Sequence, residues 1–399
     1  MGAEAALRRR RRRAWAAAVV VLTALALVAS QPKPTTPHVA ATAPQVAAST
    51  PHVAAATPRV AAAPRVAATA PRVAATAPHV AAATPHIAPA APPVPAPRLP
   101  GPVAEKLRAG DVDVEVVWRS AAGGAARLAL LLHACTHSAY DFFAPGPACP
   151  ACVGLCEEAR VADAFSDAGF DVAAVSSRDR RSGCWADGDA AAARAVVAAW
   201  RGRAGAPDGA AVVAFGASSG GWFAEVLGAA GVAAAAFSQV APGHKAGGHH
   251  LLALTSMPRD ARGHGRARAF FDAFAPDRRA PFAECAPRAV DAAYLGDRLG
   301  VAPAALEGAV AALGAAGHLD ERGFLAKDPT RSDWRKVLAA ADATGRSDEG
   351  RYCVAAKCLP LKAGRSSLAK ALHVAWAFHE YCADALPAQI AWALARLSR

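Results

Sequence analysis

The sequence predicts an α/β protein built on a mainly parallel sheet. Apolar segments typical of buried strands alternate with helical patterns between residues 112 and 274. One of these strands passes through Gly216-Ala-Ser-Ser-Gly220 directly into a helix, so a tight turn joins the two elements. The 297 residues after position 102 (399 − 102) are enough for one large domain.

The chain begins with a segment of the kind that directs proteins to membranes. Residues 1–13 form a basic tail with six consecutive arginines, and residues 14–30 carry no charge, which is the pattern of a secretory signal. The arginines favour a cytosolic N-terminus. We therefore expect 14–30 to be a single-pass type II anchor, with the remainder in the lumen or at the cell surface. Cleavage after Ser30 is the alternative and would give a secreted protein.

Residues 31–102 consist of a degenerate seven-residue repeat with a proline in each copy. Because proline lacks the backbone donor that a helix requires, we expect an extended, disordered stalk. Residues 1–102 contain eleven Lys or Arg and one acid, a net charge of +10, which leaves +2 of the total +12 for the rest of the chain (12 − 10). The basic charge thus belongs to the tail and stalk and does not indicate a nucleic-acid partner.

The core of the domain is predicted for residues 103–282 and again for 362–399. Six apolar segments are predicted strands: Val112–Ser120, Arg127–His133, Val172–Ser177, Ala211–Phe215, Ala233–Val240 and Leu251–Met257. Helical patterns lie between or after them: Glu157–Ala168, Ala190–Trp200, Trp222–Gly228 and Arg266–Phe274. Parallel sheets of this kind place their chemistry at the carboxyl ends of the strands.

Ser218 is the candidate nucleophile because it occupies the turn between strand and helix. Gly216 and Gly220 flank it, and side chains there would collide where the strand and the helix approach each other. The amide of Ser219 would point at a developing oxyanion. Ser219 is the rival nucleophile, but it lacks a glycine two residues away on each side. The alternative to a nucleophile is a Ser/Gly turn that has no catalytic role.

A second informative stretch is the exit of the strand that ends at His133-Ala134-Cys135. The loop after it can bring a backbone amide beside Ser218, and the amide of Cys135 is the candidate second oxyanion donor. The alternative is an ordinary exit from a strand into a loop.

The chain resembles the α/β-hydrolases over roughly residues 110–260 and again near the C-terminus. More closely, it resembles a plant and algal group of hydrolase-like proteins. The motifs that carry this likeness are Leu131-Leu-His-Ala-Cys135, the serine turn, Cys149 to Cys156, Ser177 to Trp185 and Met257-Pro-Arg-Asp260. The resemblance implies a fold and a mechanism but no substrate.

The resemblance also implies an acid after a later strand and a base near the C-terminus. Asp260 follows an apolar strand and is the candidate acid, although it could instead cap the helix after it. His379 is the candidate base and His373 the weaker alternative, and both could lie on a helix face without chemistry. No clear strand precedes them, since Ser366 to Ala377 reads as a helix.

Residues 283–361 do not fit the sheet and predict a helical insertion, for which a winged-helix-like shape is one arrangement. Its predicted helices are Arg288–Leu295, Ala304–Gly314 and Trp334–Ala341. An insertion between acid and base would act as a lid over the site or as a peripheral module.

The nine cysteines suit an oxidising compartment and structural disulfides. Cys353 and Cys358 are near enough in sequence to close a small loop. A zinc site of Cys149, Cys152, Cys156 and Cys184 is the alternative, because the first pair has a zinc-like spacing. The odd count leaves at least one cysteine without a partner in the chain.

The sequence therefore predicts a membrane-anchored serine hydrolase that acts on a small-molecule ester or related acyl substrate. Its expected catalytic residues are Ser218, His379 and Asp260, with no cofactor and no metal ion. Two alternatives stay open: a hydrolase fold that only binds, and a lumenal glycosyltransferase with Asp111-Val112-Asp113 as its metal-nucleotide motif.

Overall fold

The computed structural model describes residues 101–398, apart from 111, 122–126, 242, 244–247, 343–344, 349, 355–356 and 363. The predicted basic tail, the anchor and all but the last two residues of the stalk lie outside this range. Within it, no single helix is long and apolar enough to cross a bilayer. The helices Ala292–Leu299 and Pro303–Ala315 have that length only together, as a pair bent by 109°.

An eight-stranded sheet forms the centre of the domain, in the order β1-β2-β4-β3-β5-β6-β7-β8. Strand β2 is antiparallel to both of its neighbours, β1 and β4. All the remaining neighbouring strands of the sheet pair in parallel. The strands are β1 Val103–Ala109, β2 Val112–Arg119, β3 Arg127–Leu132, β4 Asp171–Val175, β5 Ala211–Ala217, β6 Ala235–Gln239, β7 Leu251–Ser256 and β8 Ala283–Glu284.

Helices pack on both faces of this sheet. They are α1 Cys156–Asp167, α2 Ala190–Ala204, α3 Ser219–Ala229, α4 Ala261–Ala273 and, at the C-terminal end, α9 Leu386–Leu397. Successive side chains of β5 point to opposite faces, so Val213 and Phe215 join the core beneath α1 and α9. Val212 and Ala214 join the core beneath α2, α3 and α4. Burial on both faces explains why the parallel strands are continuous apolar runs.

The insertion between β8 and the C-terminal elements has a core of its own. Its elements are α5 Ala292–Leu299, α6 Glu307–Ala315, α7 Trp334–Ala341 and an antiparallel hairpin of β9 Arg351–Val354 and β10 Lys357–Pro360. This core packs against α8, Ser367–Trp376, through residues such as Leu368 and Leu372. The insertion therefore supports the helix that leads to His379.

The six strands predicted from the sequence are present, each to within two residues at either end. The helix predicted from Arg288 begins instead at Ala292, because the side chain of Asp291 accepts the amide of Tyr294 and starts the helix there. Strands β1 and β8 were not predicted. Strand β1 is a charged edge strand with no fully buried residue, and β8 has only two residues, too few for a periodic pattern.

Candidate active site

The turn after β5 holds Ser218 in a strained backbone conformation. Its φ is 54° and its ψ is −119°, a region that residues other than glycine rarely occupy. A side chain on Gly216 would collide with the backbone of Gly220, and one on Gly220 would collide with the carbonyl of Leu132. The two glycines thus allow the strand, the turn and helix α3 to pack closely, as the sequence predicts.

His379 bridges the predicted nucleophile and the predicted acid. Its Nε2 lies 2.9 Å from Ser218 Oγ, and its Nδ1 lies 2.7 Å from Asp260 Oδ2. The other oxygen of Asp260, Oδ1, accepts the amide of Gly263 at 3.0 Å and caps helix α4. The two interpretations of Asp260 are therefore compatible, because each uses a different carboxylate oxygen.

The sequence left His373 as an alternative base, and the structure does not bring it to Ser218. Its Nδ1 lies 3.4 Å from Glu380 Oε2 instead. A left-handed residue at Ala377, φ 59°, ends helix α8 and turns the chain so that His379 reaches the nucleophile.

A disulfide joins the loop of His379 to the eighth strand. Cys382, three residues after His379, is bonded to Cys285, the residue that follows β8. Since residues 285–378 separate β8 from His379 in sequence, β8 does not deliver the histidine directly. The disulfide and helix α8 hold the loop in its place.

The two predicted oxyanion amides, of Cys135 and Ser219, are free to donate to a substrate oxygen. Among the hydrogen bonds of the described residues, neither Cys135 N nor Ser219 N donates to a protein atom. The sulfur of Cys135, bonded to Cys184, has no hydrogen and accepts the Ser219 hydroxyl at 3.3 Å. The Ser219 hydroxyl is thus engaged by this sulfur, whereas His379 contacts Ser218, which argues against Ser219 as the nucleophile.

The strand order and the position of these residues decide the fold. Of the described strands of this sheet only β2 runs against the others, the serine turn follows β5, the candidate acid follows β7, and the candidate base lies near the C-terminus. The chain has the α/β-hydrolase fold.

Similarity to known proteins is found among solved structures only. No protein-family model and no curated protein matches the chain. It is similar to an α-β serine hydrolase homologue from Coxiella burnetii, with TM-score 0.35 and 12% identity over 46% of this chain and 86% of that chain. It is also similar to a dienelactone hydrolase from Anabaena variabilis, with TM-score 0.33 and 17% identity over 48% and 87% of the two chains.

A further similar structure is an esterase from Pyrococcus furiosus, with TM-score 0.33 and 12% identity over 46% of this chain and 82% of that chain. At these values the matches carry no weight of their own. The fold assignment rests on the strand order and on the serine turn.

Sequence patterns did not reveal four polar residues that lie beside Ser218. A cavity of about 200 Å³ next to the hydroxyl is also lined by His137, Lys370, Glu380 and Tyr381. Lys370 lies in the predicted helix 366–377 among Ala369, Ala371 and Leu372, and a lone lysine on an apolar helix face is a signal that could have identified it. Among the described residues, none from 283–361 lines this cavity, so the lining gives no support to the lid role of the insertion.

The cysteine pairings contradict the zinc alternative. Cys149 is bonded to Cys152, and Cys184 to Cys135, so the four proposed ligands do not converge. Cys156 is a buried free thiol whose pKa is raised well above its usual value by burial, which keeps it protonated. The fourth disulfide, Cys353–Cys358, closes the small loop that the sequence suggested.

His133 anchors the end of β3, immediately before the oxyanion loop. The ring is fully buried, its Nε2 accepts the amide of Ser177 at 2.9 Å, and its Nδ1 donates to the carbonyl of Ala134 at 2.8 Å. Both contacts require the neutral ring with the hydrogen on Nδ1. Burial lowers the pKa of His133 from 6.5 to about 4.

We expect His133 to make the free energy of unfolding fall in acid. A histidine whose folded pKa is lowered stabilises the fold above its unfolded pKa of 6.5, and this stability is lost as the pH falls towards 4. A shift of this size corresponds to about 3 kcal/mol. Urea unfolding of the wild type and of His133→Gln at pH 7 and pH 4.5 should show a smaller pH dependence in the variant. Parallel curves would contradict this account.

Proposed function

We propose that this chain is a membrane-anchored serine hydrolase that cleaves an ester or related acyl bond with Ser218, His379 and Asp260. One observation carries the proposal: the ring of His379 lies within hydrogen-bond distance of both Ser218 Oγ and Asp260 Oδ2. A neutral histidine in this position is the general base that makes a serine hydroxyl nucleophilic.

In the proposed first step, Ser218 Oγ attacks the substrate carbonyl and His379 Nε2 takes the hydroxyl proton. The amides of Ser219 and Cys135 donate to the oxyanion of the tetrahedral intermediate. The intermediate then collapses, the bond to the leaving group breaks, and His379 gives its proton to that group. Water attacks the acyl-serine in the same way, His379 again acting as base and then returning the proton to Ser218.

Asp260 has a defined part in these steps. Its Oδ2 holds the hydrogen on His379 Nδ1, so that Nε2 is the free base facing Ser218. It also stabilises the imidazolium that forms when the ring takes the proton. Since Oδ1 caps helix α4, the carboxylate cannot rotate without losing one contact.

Four disulfides support the proposed placement of this domain in the lumen or outside the cell. Disulfides persist in oxidising compartments and are rare in the cytosol. This agrees with an anchor at residues 14–30 that leaves the N-terminus cytosolic, and equally with a cleaved signal.

The glycosyltransferase alternative has little support from the described residues. Asp113 is exposed at the β1–β2 edge and pairs with Arg108 at 3.3 Å, and Asp111 lies outside the described residues. A binding role without catalysis is favoured if the histidine lies away from the serine. His379 Nε2 lies 2.9 Å from Ser218 Oγ, so this alternative gains no support from the geometry.

Labelling of the purified chain with a fluorophosphonate tests the proposal. We expect the wild type to be labelled at Ser218 and the label to fall at least about 1,000-fold in Ser218→Ala, because the activated oxygen is lost. Ser219→Ala is the matched control and should keep labelling within about tenfold. A folded wild type that is not labelled, or a label that moves to Ser219, would count against the proposed function.

A further inference from the structure

The cavity beside Ser218 is small, and its wall combines small apolar residues with ionisable ones. Its volume of about 200 Å³ is below the roughly 300 Å³ at which pockets for drug-sized ligands begin. The apolar residues that line it are small, for example Ala217 and Val240, while His137, Lys370 and Glu380 bring ionisable groups to its wall. A long alkyl chain would exclude water from these groups without giving them a hydrogen bond in its place. Burying a polar group in this way costs binding free energy.

Lys370 is the charged centre of this wall, and its side chain is 7% exposed. Its ammonium nitrogen lies 2.6 Å from Glu380 Oε1, 3.2 Å from Glu158 Oε1 and 3.2 Å from His137 Nε2. Two of these contacts are hydrogen bonds, to Glu380 and His137, and the contact with Glu158 is an ion pair. The charge of Lys370 is therefore already engaged by groups of the protein.

Carboxyl groups outnumber the lysine in this cluster. Asp141 Oδ2 lies 2.8 Å from His137 Nδ1, which makes it the third carboxyl beside Glu158 and Glu380. Complete burial raises the pKa of Glu158. Burial acts on Glu380 in the same direction, but Lys370 and its other hydrogen-bond partners outweigh it and hold the pKa of Glu380 below its usual value.

Glu380 is thus the ionised carboxylate of the cluster that reaches the cavity wall. It directly follows His379 in sequence, and its Oε2 is engaged by His373 only at 3.4 Å. The Tyr381 hydroxyl oxygen is already an acceptor for the amide of Ala134, at 2.6 Å, beside the oxyanion residue Cys135. Oε1 of Glu380 accepts from Lys370 and from the amide of Tyr381, so Oε2 is the oxygen that can accept a further hydrogen bond.

We propose that this cavity accepts a short acyl group carrying a hydroxyl or ammonium donor, and that Glu380 is the residue that selects it. The inference rests on the proposed function, because it concerns the substrate of the same serine. An acyl group with a terminal carboxylate would meet Glu380 with like charge, and the charge of Lys370 is already engaged by Glu380 and Glu158. A fatty acyl group would exceed the cavity and desolvate the cluster.

A panel of 4-nitrophenyl esters tests this preference on the full purified chain. The acyl groups are 3-hydroxybutyryl, 3-aminopropanoyl, butyryl, octanoyl and hemisuccinyl, and each kcat/KM is divided by the uncatalysed rate in the same buffer. We expect the hydroxyl and amino esters to exceed butyryl by about tenfold to a hundredfold, the gain that a hydrogen bond to a charged acceptor gives. The octanoyl and hemisuccinyl esters should fall below butyryl.

Glu380→Gln is expected to lower the ratio of kcat/KM for 3-hydroxybutyryl over butyryl towards one, because the charged acceptor is lost. Glu157→Gln is the matched control. Glu157 is another buried glutamate with a cationic partner, Arg298 at 3.0 Å, but it does not line the cavity, so the ratio should stay as in the wild type.

Three results would overturn the inference while leaving the proposed function intact. Each of them is observed in a chain that is labelled at Ser218. The first is a kcat/KM for the butyryl or octanoyl ester that equals or exceeds that of the hydroxyl and amino esters, and the second is a preference for the hemisuccinyl ester. The third is the same kcat/KM for every ester of the panel, including no turnover of any of them. The wild-type panel decides this even where Glu380→Gln does not fold. A folded wild type that the fluorophosphonate does not label would remove the proposed function and this inference with it.

Discussion

Replacing His379 with alanine is expected to lower the rate constant of fluorophosphonate labelling by about 1,000- to 10,000-fold. The ring is the proposed base and lies 2.9 Å from Ser218 Oγ, so without it the hydroxyl should keep its proton. The measurement is the second-order rate constant of labelling at pH 8. His373→Ala, whose side chain contacts Glu380 and not Ser218, should lose less than about tenfold.

A substitution of the candidate acid, Asp260, tests the same proposal while leaving the helix cap in place. Asn at position 260 can still accept the amide of Gly263 through its side-chain oxygen, and asparagine is as good a helix N-cap as aspartate. It cannot hold the hydrogen on His379 Nδ1, so Asp260→Asn should fold and yet label about 10,000-fold more slowly. Equal loss in His373→Ala and His379→Ala, or wild-type labelling of Asp260→Asn, would refute the assigned roles.

Opening the disulfide between Cys285 and Cys382 is expected to have the largest effect on stability. The two cysteines are 97 residues apart, and a cross-link that closes a loop of this length contributes about 4–5 kcal/mol to the free energy of unfolding in the chain-entropy model. Urea unfolding of the double variant Cys285→Ser/Cys382→Ser measures the loss. Labelling should also slow, because the loop of His379 loses its tie to strand β8.

The matched control is Cys353→Ser/Cys358→Ser, in the hairpin of the insertion. These cysteines are five residues apart, and the same model gives about 2 kcal/mol. Labelling per folded molecule should stay near that of the wild type, since neither cysteine lines the cavity beside Ser218. Equal effects of the two double variants on stability and on labelling would contradict a special role for Cys285–Cys382 in holding the base.

The choice between His379 and His373 shows where sequence reasoning weakened. The two histidines are six residues apart, at and just after the end of a segment that reads as a helix up to Ala377. The turn between them is made by Ala377 at φ 59°. A left-handed alanine has no sequence signal comparable to glycine. The preference for His379 followed from the resemblance to the α/β-hydrolases, and the structure places that residue beside the serine.

The disulfide pairings and the polar cluster around Lys370 were harder still to predict from the sequence. Nine cysteines allow many pairings, and a short spacing made Cys149 and Cys152 look like zinc ligands. Lys370 meets His137 across 233 residues of sequence. Such contacts leave no local pattern, because the residues share neither a helix turn nor a strand register.

The sequence by itself determined the features that local physics governs. A run of apolar residues, a glycine two positions to each side of Ser218 and a helical pattern after it specify strand β5, the serine turn and helix α3 within about twenty residues. Only the tertiary structure decided how His379, Asp260 and Ser218 meet, which cysteines pair, and that Lys370 and Glu380 lie beside the nucleophile. These contacts arise when the sheet brings distant loops to one edge, and packing of the whole core selects them.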